Sequence, residues 1–222
     1  LNDKKNFDIE KFKPIFTDLL NTIDIRKIEF SSKSKFSFNV NKSLKFDNFK
    51  VESIINLNQL TINQKNLKLK SYFPSFVEEI ELKEHKVIIN YNKNKLNIKG
   101  NGSILLGDKS DSLSYKIIKD NNNYLFNSKI NLKNNSLLID FLDYKKEEDL
   151  NSLISIKGNF KKNNQLRFDQ INLKEKNNEI SIIDLDLSES LKIIDIKNLN
   201  FDYKNSKKIL NKLNLKKDNL NY

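Results

Sequence analysis

From Lys27 to Tyr203 apolar residues return at every second position, and the runs are broken about every ten residues by clusters of Asn, Asp, Lys and Ser. "KFSFNV" sets Phe36, Phe38 and Val40 on one face of a strand. "KLNIKGNGSILLG" sets Leu96, Ile98, Ile104 and Leu106 on one face with Gly100 and Gly102 between them. Leu113, Tyr115 and Ile117 follow, then Tyr124, Phe126, Ile130 and Leu132. After an Asn134-Asn135 turn come Leu137, Ile139 and Phe141, read as the second arm of a hairpin. Ile154, Ile156 and Phe160, and finally Leu199, Phe201 and Tyr203, complete the series. The interleaved positions are Lys, Asn and Ser, so each strand is predicted to be apolar on one side and wet on the other.

The breaks "GDKSDS", "KDNNN", "FKKNNQ" and "EKNNE" are turn sequences, because Asn tolerates the left-handed backbone that tight turns need. Connections this short join antiparallel neighbours; parallel strands would need crossover helices. Two short motifs recur. "INLK" appears at Ile130–Lys133 and Ile171–Lys174, each followed by an Asn pair. "IKGN" appears at Ile98–Asn101 and Ile156–Asn159, where the glycine is read as ending a strand at a bulge or bend.

Only the two ends change period. In "FDIEKFKPIFTDLLNTI", Ile9, Phe12, Ile15, Phe16, Leu19, Leu20 and Ile23 fall on one helical stripe, with Pro14 either starting or kinking the helix. Ile209, Leu210, Leu213 and Leu220 read as a second helical stretch. The organisation expected is therefore an amphipathic helix over 1–24, a repetitive antiparallel β region over 25–204, and a basic C-terminal segment over 205–222. The fold class expected is mainly all-β, a long antiparallel meander with at least ten consecutive strands.

Composition narrows the function more than it defines it. The chain has 222 residues, a formal net charge of +11, four Gly, and no Cys, Met or Trp. Lack of Cys excludes a disulfide scaffold, and one His excludes a His/Cys metal site. His85, in "ELKEHKVII", is read as an exposed strand-end residue without a catalytic partner. The paired carboxylates Glu78-Glu79 and Glu147-Glu148 lie among lysines, where nothing would tune them for acid–base work. Asp184, Asp186 and Asp195 are read as solvent-facing, or as places where the in/out pattern slips. Four glycines cannot build a phosphate-cradling loop. No enzyme, no cofactor and no metal are expected.

The positive charge would suit nucleic acid or an anionic membrane. Base stacking with phosphate contact needs aromatics and lysines on the same face, and period two puts them on opposite faces, so no specific nucleic acid is expected as partner. No apolar run approaches the roughly 18 residues of a membrane span. The chain opens at Leu1 without a Met and is expected to be a segment of a longer protein. Two architectures would cover the apolar face: a closed sandwich or barrel, or an open trough for acyl chains.

The stretch "LNIKGNGSILLGDKSDSLSYKIIKDNNNYLFNSKINLKNNSLLIDF" resembles the repeated strand regions of AsmA-like bacterial envelope proteins of the YhdP and TamB type. "LISIKGNFKKNNQLRFDQINLKEKNNEISI" repeats the layout. The resemblance covers Lys95 to Tyr203, with a weaker likeness over Lys45–Leu69. It implies a periplasmic protein anchored in the inner membrane by a part of the chain not present here. It also implies a taco-shaped apolar groove carrying phospholipid between inner and outer membranes, with lipopolysaccharide-bridge proteins as a related alternative. Partners so implied are phospholipid acyl chains, bacterial membranes and envelope proteins. The groove would be lined by Leu96, Ile98, Ile104, Leu106, Leu113, Tyr115, Ile117, Tyr124, Phe126, Ile130, Leu132, Leu137, Ile139, Phe141, Ile154, Ile156 and Phe160, with Ile130 mid-trough.

Overall fold

Among the described residues, eleven of thirteen strands form one antiparallel sheet in which every neighbour in space is the next strand of the sheet in sequence. The structure is a computed structural model, and it describes residues 24–43, 46–63, 69–93, 95–121, 123–161, 166–188 and 192–217. In chain order the strands are β1 (Asp24–Val40), β2 (Phe46–Asn63), β3 (Glu79–Asn92), β4 (Lys95–Leu105), β5 (Ser110–Asp120) and β6 (Asn123–Leu132). Then come β7 (Leu137–Ile139), β8 (Tyr144–Lys146), β9 (Ser152–Lys161), β10 (Leu166–Glu175), β11 (Asn178–Leu187), β12 (Ile193–Lys204) and β13 (Leu210–Lys216). β7 and β8 make a separate two-stranded hairpin inserted between β6 and β9, which pair directly with each other.

The sheet is not closed. β1 and β13 each pair on one side only, so the closed sandwich or barrel does not form. The predicted meander is present. The helix expected over 1–24 lies outside the described residues but for Asp24, which opens β1. The second helix is a correction: residues 210–216 are β13, paired with β12 through Leu199–Leu215 and Phe201–Leu213. Leu213 and Leu215 alternate as a strand requires, and that pairing overrides a weak helical spacing.

Register carries the apolar pattern straight across the sheet. One row runs Ile89, Ile98, Ile117, Phe126, Gly158, Phe168, Leu185 and Ile196. The next but one runs Ile130, Ile154, Leu173, Ile180, Phe201 and Leu213. Lys99, Lys116, Asn127, Lys157 and Gln170 form a row on the opposite face. Where apolar residues change parity, an extra residue restores the face. In β3, Leu82 and His85 are three apart; Glu84 between them takes φ 54, and the register with β4 shifts there. In β10, Phe168 and Ile171 are likewise three apart, and the register with β9 shifts between Phe168 and Gln170; β11 stays in register with β10 there, with Asp184 at φ 53. These are β-bulges, which increase local twist as well as re-aiming side chains.

Candidate functional site: a partly capped apolar face

The core sits at one end of the apolar face, where the 69–78 connection and the 133–151 insertion fold over it. Phe76, Leu137 and Tyr144 from those segments bury against Ile104, Leu106, Leu132, Leu173, Ile180, Phe201 and Tyr203 of the sheet. Fully burying side chains of this size stabilises by roughly 1.5–3 kcal/mol each, which is the main force holding the cap down.

Polar groups fix where the cap docks. The Asp111 carboxylate accepts the backbone N–H groups of Lys133, Asn134 and Asn135, at 2.7, 2.8 and 3.2 Å, and the Asn135 side-chain amide at 2.8 Å. Lys146 is wholly buried and donates to the carbonyls of Lys133 and Asn135 at 2.8 and 2.6 Å. Burial pushes its ammonium below the ordinary lysine value, against the opposing pull of Asp111 and Glu175. Tyr144 donates its hydroxyl to Glu175 at 2.6 Å, and burial together with that carboxylate raises its pKa well above the ordinary tyrosine value. The insertion also touches both flanks. Leu138 N–H bonds Tyr72 O at 2.8 Å, Ser206 N–H bonds Asp143 O at 2.7 Å, and Tyr203 donates to Leu142 O at 2.7 Å.

Away from the cap the apolar face has no second layer among the described residues. Leu96, Ile98, Ile117, Tyr124, Phe126 and Ile156 are half-buried by their own neighbours, and Phe160 is exposed. Tyr115 is half-buried too. Its hydroxyl end lies over Gly100, where a Cβ would fall 2.3 Å from the ring. Gly102 seats the His85 ring and Gly158 the Phe126 ring in the same way. The "IKGN" glycines thus lie inside β4 and β9 rather than ending them, and what requires them is an aromatic ring lying across the strand.

Of the expected groove residues, Leu96, Ile98, Ile104, Leu106, Leu113, Tyr115, Ile117, Tyr124, Phe126, Ile130, Leu132, Ile154, Ile156 and Phe160 share the apolar side of the sheet. Ile104, Leu106 and Leu132 are buried under the cap, and Leu113, Ile130 and Ile154 pack against it. Ile130 therefore packs against the capped core and is not an open mid-face position. Three residues are corrected. Leu137 and Ile139 belong to β7 in the cap, and Phe141, in a 3₁₀ turn over Asp140–Leu142, is 75% exposed. The second arm of the expected hairpin folds over the sheet because Asp111 and Lys146 capture residues 133–135.

His85 is a second correction. It is 1% exposed on the apolar face, its Nε2–H donating to Ser103 O at 2.9 Å and its Nδ1 without a partner. Burial lowers its pKa. The signal was present: His85, Val87 and Ile89 alternate, and only the bulge at Glu84 hides the continuity with Leu82. On the polar face Arg167 contacts Asp184 and lies 3.5 and 3.8 Å from Asp169 and Asp186, so the slip at Asp184 serves an ion-pair cluster. Among the described residues no three His, Asp or Glu side chains gather as a metal site, and no helix is long and apolar enough to cross a membrane. No protein-family model, curated protein or solved structure matches the chain.

Proposed function

We propose that this chain is a non-enzymatic, lipid-carrying segment of a bacterial envelope protein, its apolar sheet face holding phospholipid acyl chains in transit between inner and outer membranes. The observation that carries the reading is the apolar face itself. It continues through eleven strands, a length of about 48 Å at ten strand spacings, and beyond the cap none of the described residues covers it. A strip of that size far exceeds the few hundred Å² that a monomer ordinarily leaves bare, and acyl chains need only apolar contact along it.

A curled, groove-like sheet fits the cap's reach. On a flat sheet the β2–β3 and β12–β13 connections, eight strand spacings apart, would be about 38 Å from each other. Cap residues 138 to 143, which extend at most about 20 Å, bond to both. Curl of the sheet, with the 69–78 segment reaching inward, closes the difference, and the bulges in β3 at Glu84 and in β10 between Phe168 and Gln170 supply added twist. The AsmA-like resemblance supplies the envelope setting: a periplasmic groove between the two membranes.

The test uses charges placed on and off the capped rows. Ile117→Asp and Phe126→Asp lie on the uncovered rows, so the protein should keep its β circular dichroism while losing lipid transfer between vesicles. Ile130→Asp buries a carboxylate against the cap and should cost several kcal/mol of stability. Full transfer by the Ile117→Asp and Phe126→Asp variants would sink the proposal.

A further inference from the structure

Among the described residues the sheet has two free edges, β1 and β13, and they differ. β1 is interrupted by three register shifts against β2, between Ile25 and Lys27, Glu29 and Phe30, and Ser37 and Asn39. Irregularities of that kind spoil an edge for a further strand. β13 has none: Leu210 to Lys216 run in unbroken register along β12. Its two ends are pinned. Lys217 N–H donates to Lys197 O at 2.8 Å and Asn205 N–H to Ile209 O at 3.0 Å, while the Ser206 hydroxyl donates to the Asp143 carboxylate at 2.6 Å. A strand already ordered in this way loses little further freedom when another strand pairs with it.

The bonds at Lys217 and Ile209 also fix which backbone groups face outward, because inward and outward pairs alternate along an antiparallel ladder. Asn211, Leu213 and Leu215 bond to β12. The N–H and C=O groups of Lys212, Asn214 and Lys216 face away from it, where no described strand meets them. Side chains alternate too. Leu213 and Leu215, opposite Phe201 and Leu199, lie on the apolar face and are 40% and 53% exposed, whereas Lys212, Asn214 and Lys216 lie on the polar face. Between Asn205 and Lys217 there are five lysines and no carboxylate. Lys212 and Lys217 reach Asp202 and Asp195, at 3.1 and 2.7 Å; Lys216 has no carboxylate partner among the described residues. A second β13 laid on this edge, or a β1 with its Arg26, Lys27, Lys33 and Lys35, would set like charges side by side. A strand with carboxylates on one side and apolar residues on the other matches both faces.

We propose that β13 docks an extended acidic segment of a partner protein by strand addition, the segment's carboxylates lying against Lys212 and Lys216 and its apolar side chains against Leu213 and Leu215. The bonds are made by backbone groups at the sheet edge, so this proposal does not rest on the lipid-carrying one and the two fail separately.

The test is NMR titration of the isotope-labelled full chain with an end-capped peptide of core Glu-Val-Thr-Val-Glu. Amide shifts should concentrate at Lys212, Asn214 and Lys216. A Lys-Val-Thr-Val-Lys peptide should bind about fivefold or more weakly, since two cross-strand charge pairs turn from attractive to repulsive. Asn214→Pro removes one outward N–H and no bond to β12, which an edge strand tolerates, and leaves the net charge unaltered. It should keep its β circular dichroism and bind the acidic peptide about tenfold or more weakly. Lys212→Gln with Lys216→Gln, both exposed, leaves the backbone edge intact and should weaken binding by about fivefold. Equal binding by Asn214→Pro would show that charge alone attracts the peptide, and would overturn the proposal. Ile117→Asp should bind the peptide as the unmodified protein does; a loss there would put the peptide on the apolar face and overturn it too. So would no binding of the acidic peptide at all, or a dimer in light scattering that Asn214→Pro dissolves.

Discussion

Gly158 and Gly100 occupy equivalent places in the two "IKGN" motifs, yet their surroundings differ. A Cβ at Gly100 meets only the outer atoms of the Tyr115 ring, which can swing away. A Cβ at Gly158 falls 2.3 Å from the Arg167 carbonyl oxygen, which is held in the ladder. Gly158→Ala should therefore cost about 1–3 kcal/mol, as overpacking does. Gly100→Ala should cost less, its clash offset by the roughly 0.5–1 kcal/mol of chain entropy that glycine forfeits in a strand. Denaturant midpoints for the two variants check this, and equal losses would contradict it. His85 gives a pH dependence. Its folded pKa is depressed by burial, and the groups around it are Leu57, Gly102, Tyr115 and the Ser103 carbonyl, with Glu84 and Lys86 exposed beside it in the chain. As pH falls through about 6.5 the unfolded chain takes up the proton first, so stability is full above that value and declines below it. His85→Gln should flatten the denaturant midpoint between about pH 7 and pH 5; an unchanged slope would show that other groups set it.

The cap is the element on which the fold departs most from its sequence pattern. Asp111 occupies an apolar-face position in β5, opposite Ile104, and accepts four donors from the insertion. Asp111→Ala would strand those donors and the buried Lys146, at a cost of about 3–5 kcal/mol. Amide exchange over 133–151 should rise sharply, with the β5–β6 ladder near Ile117 and Phe126 changing little. Uniform loss of protection would mean that cap and sheet unfold as one unit. Local alternation made part of β1, and β4, β5, β6, β9 and β12, legible, because each strand buries one face and a register slip would expose it. The cap was not legible from "SLLIDF", whose three-residue β7 alternates like any strand; its placement is decided by Asp111 and Lys146, which are distant in sequence and ordinary in isolation. β13 was misread for a related reason: seven residues support either period, and the free edge of β12 decides. His85 was hidden by one inserted residue at Glu84.

At the scale of the molecule, a sheet with one apolar and one polar face and two unpaired edge strands has to manage exposed surface in three places. Along β1, Arg26, Lys27, Lys33 and Lys35 blunt the edge against accidental pairing, as charged edge strands commonly do. Over the capped end, the 69–78 and 133–151 segments exclude water. Among the described residues nothing covers the remaining rows of Ile, Leu and Phe, and the account turns on what does. The most direct measurement is native mass spectrometry of the chain purified from a bacterial envelope without added lipid. Near-stoichiometric phospholipid, lost from the Ile117→Asp and Phe126→Asp variants, is the predicted result. A well-folded, lipid-free protein of the same β content would contradict the lipid-carrying account outright.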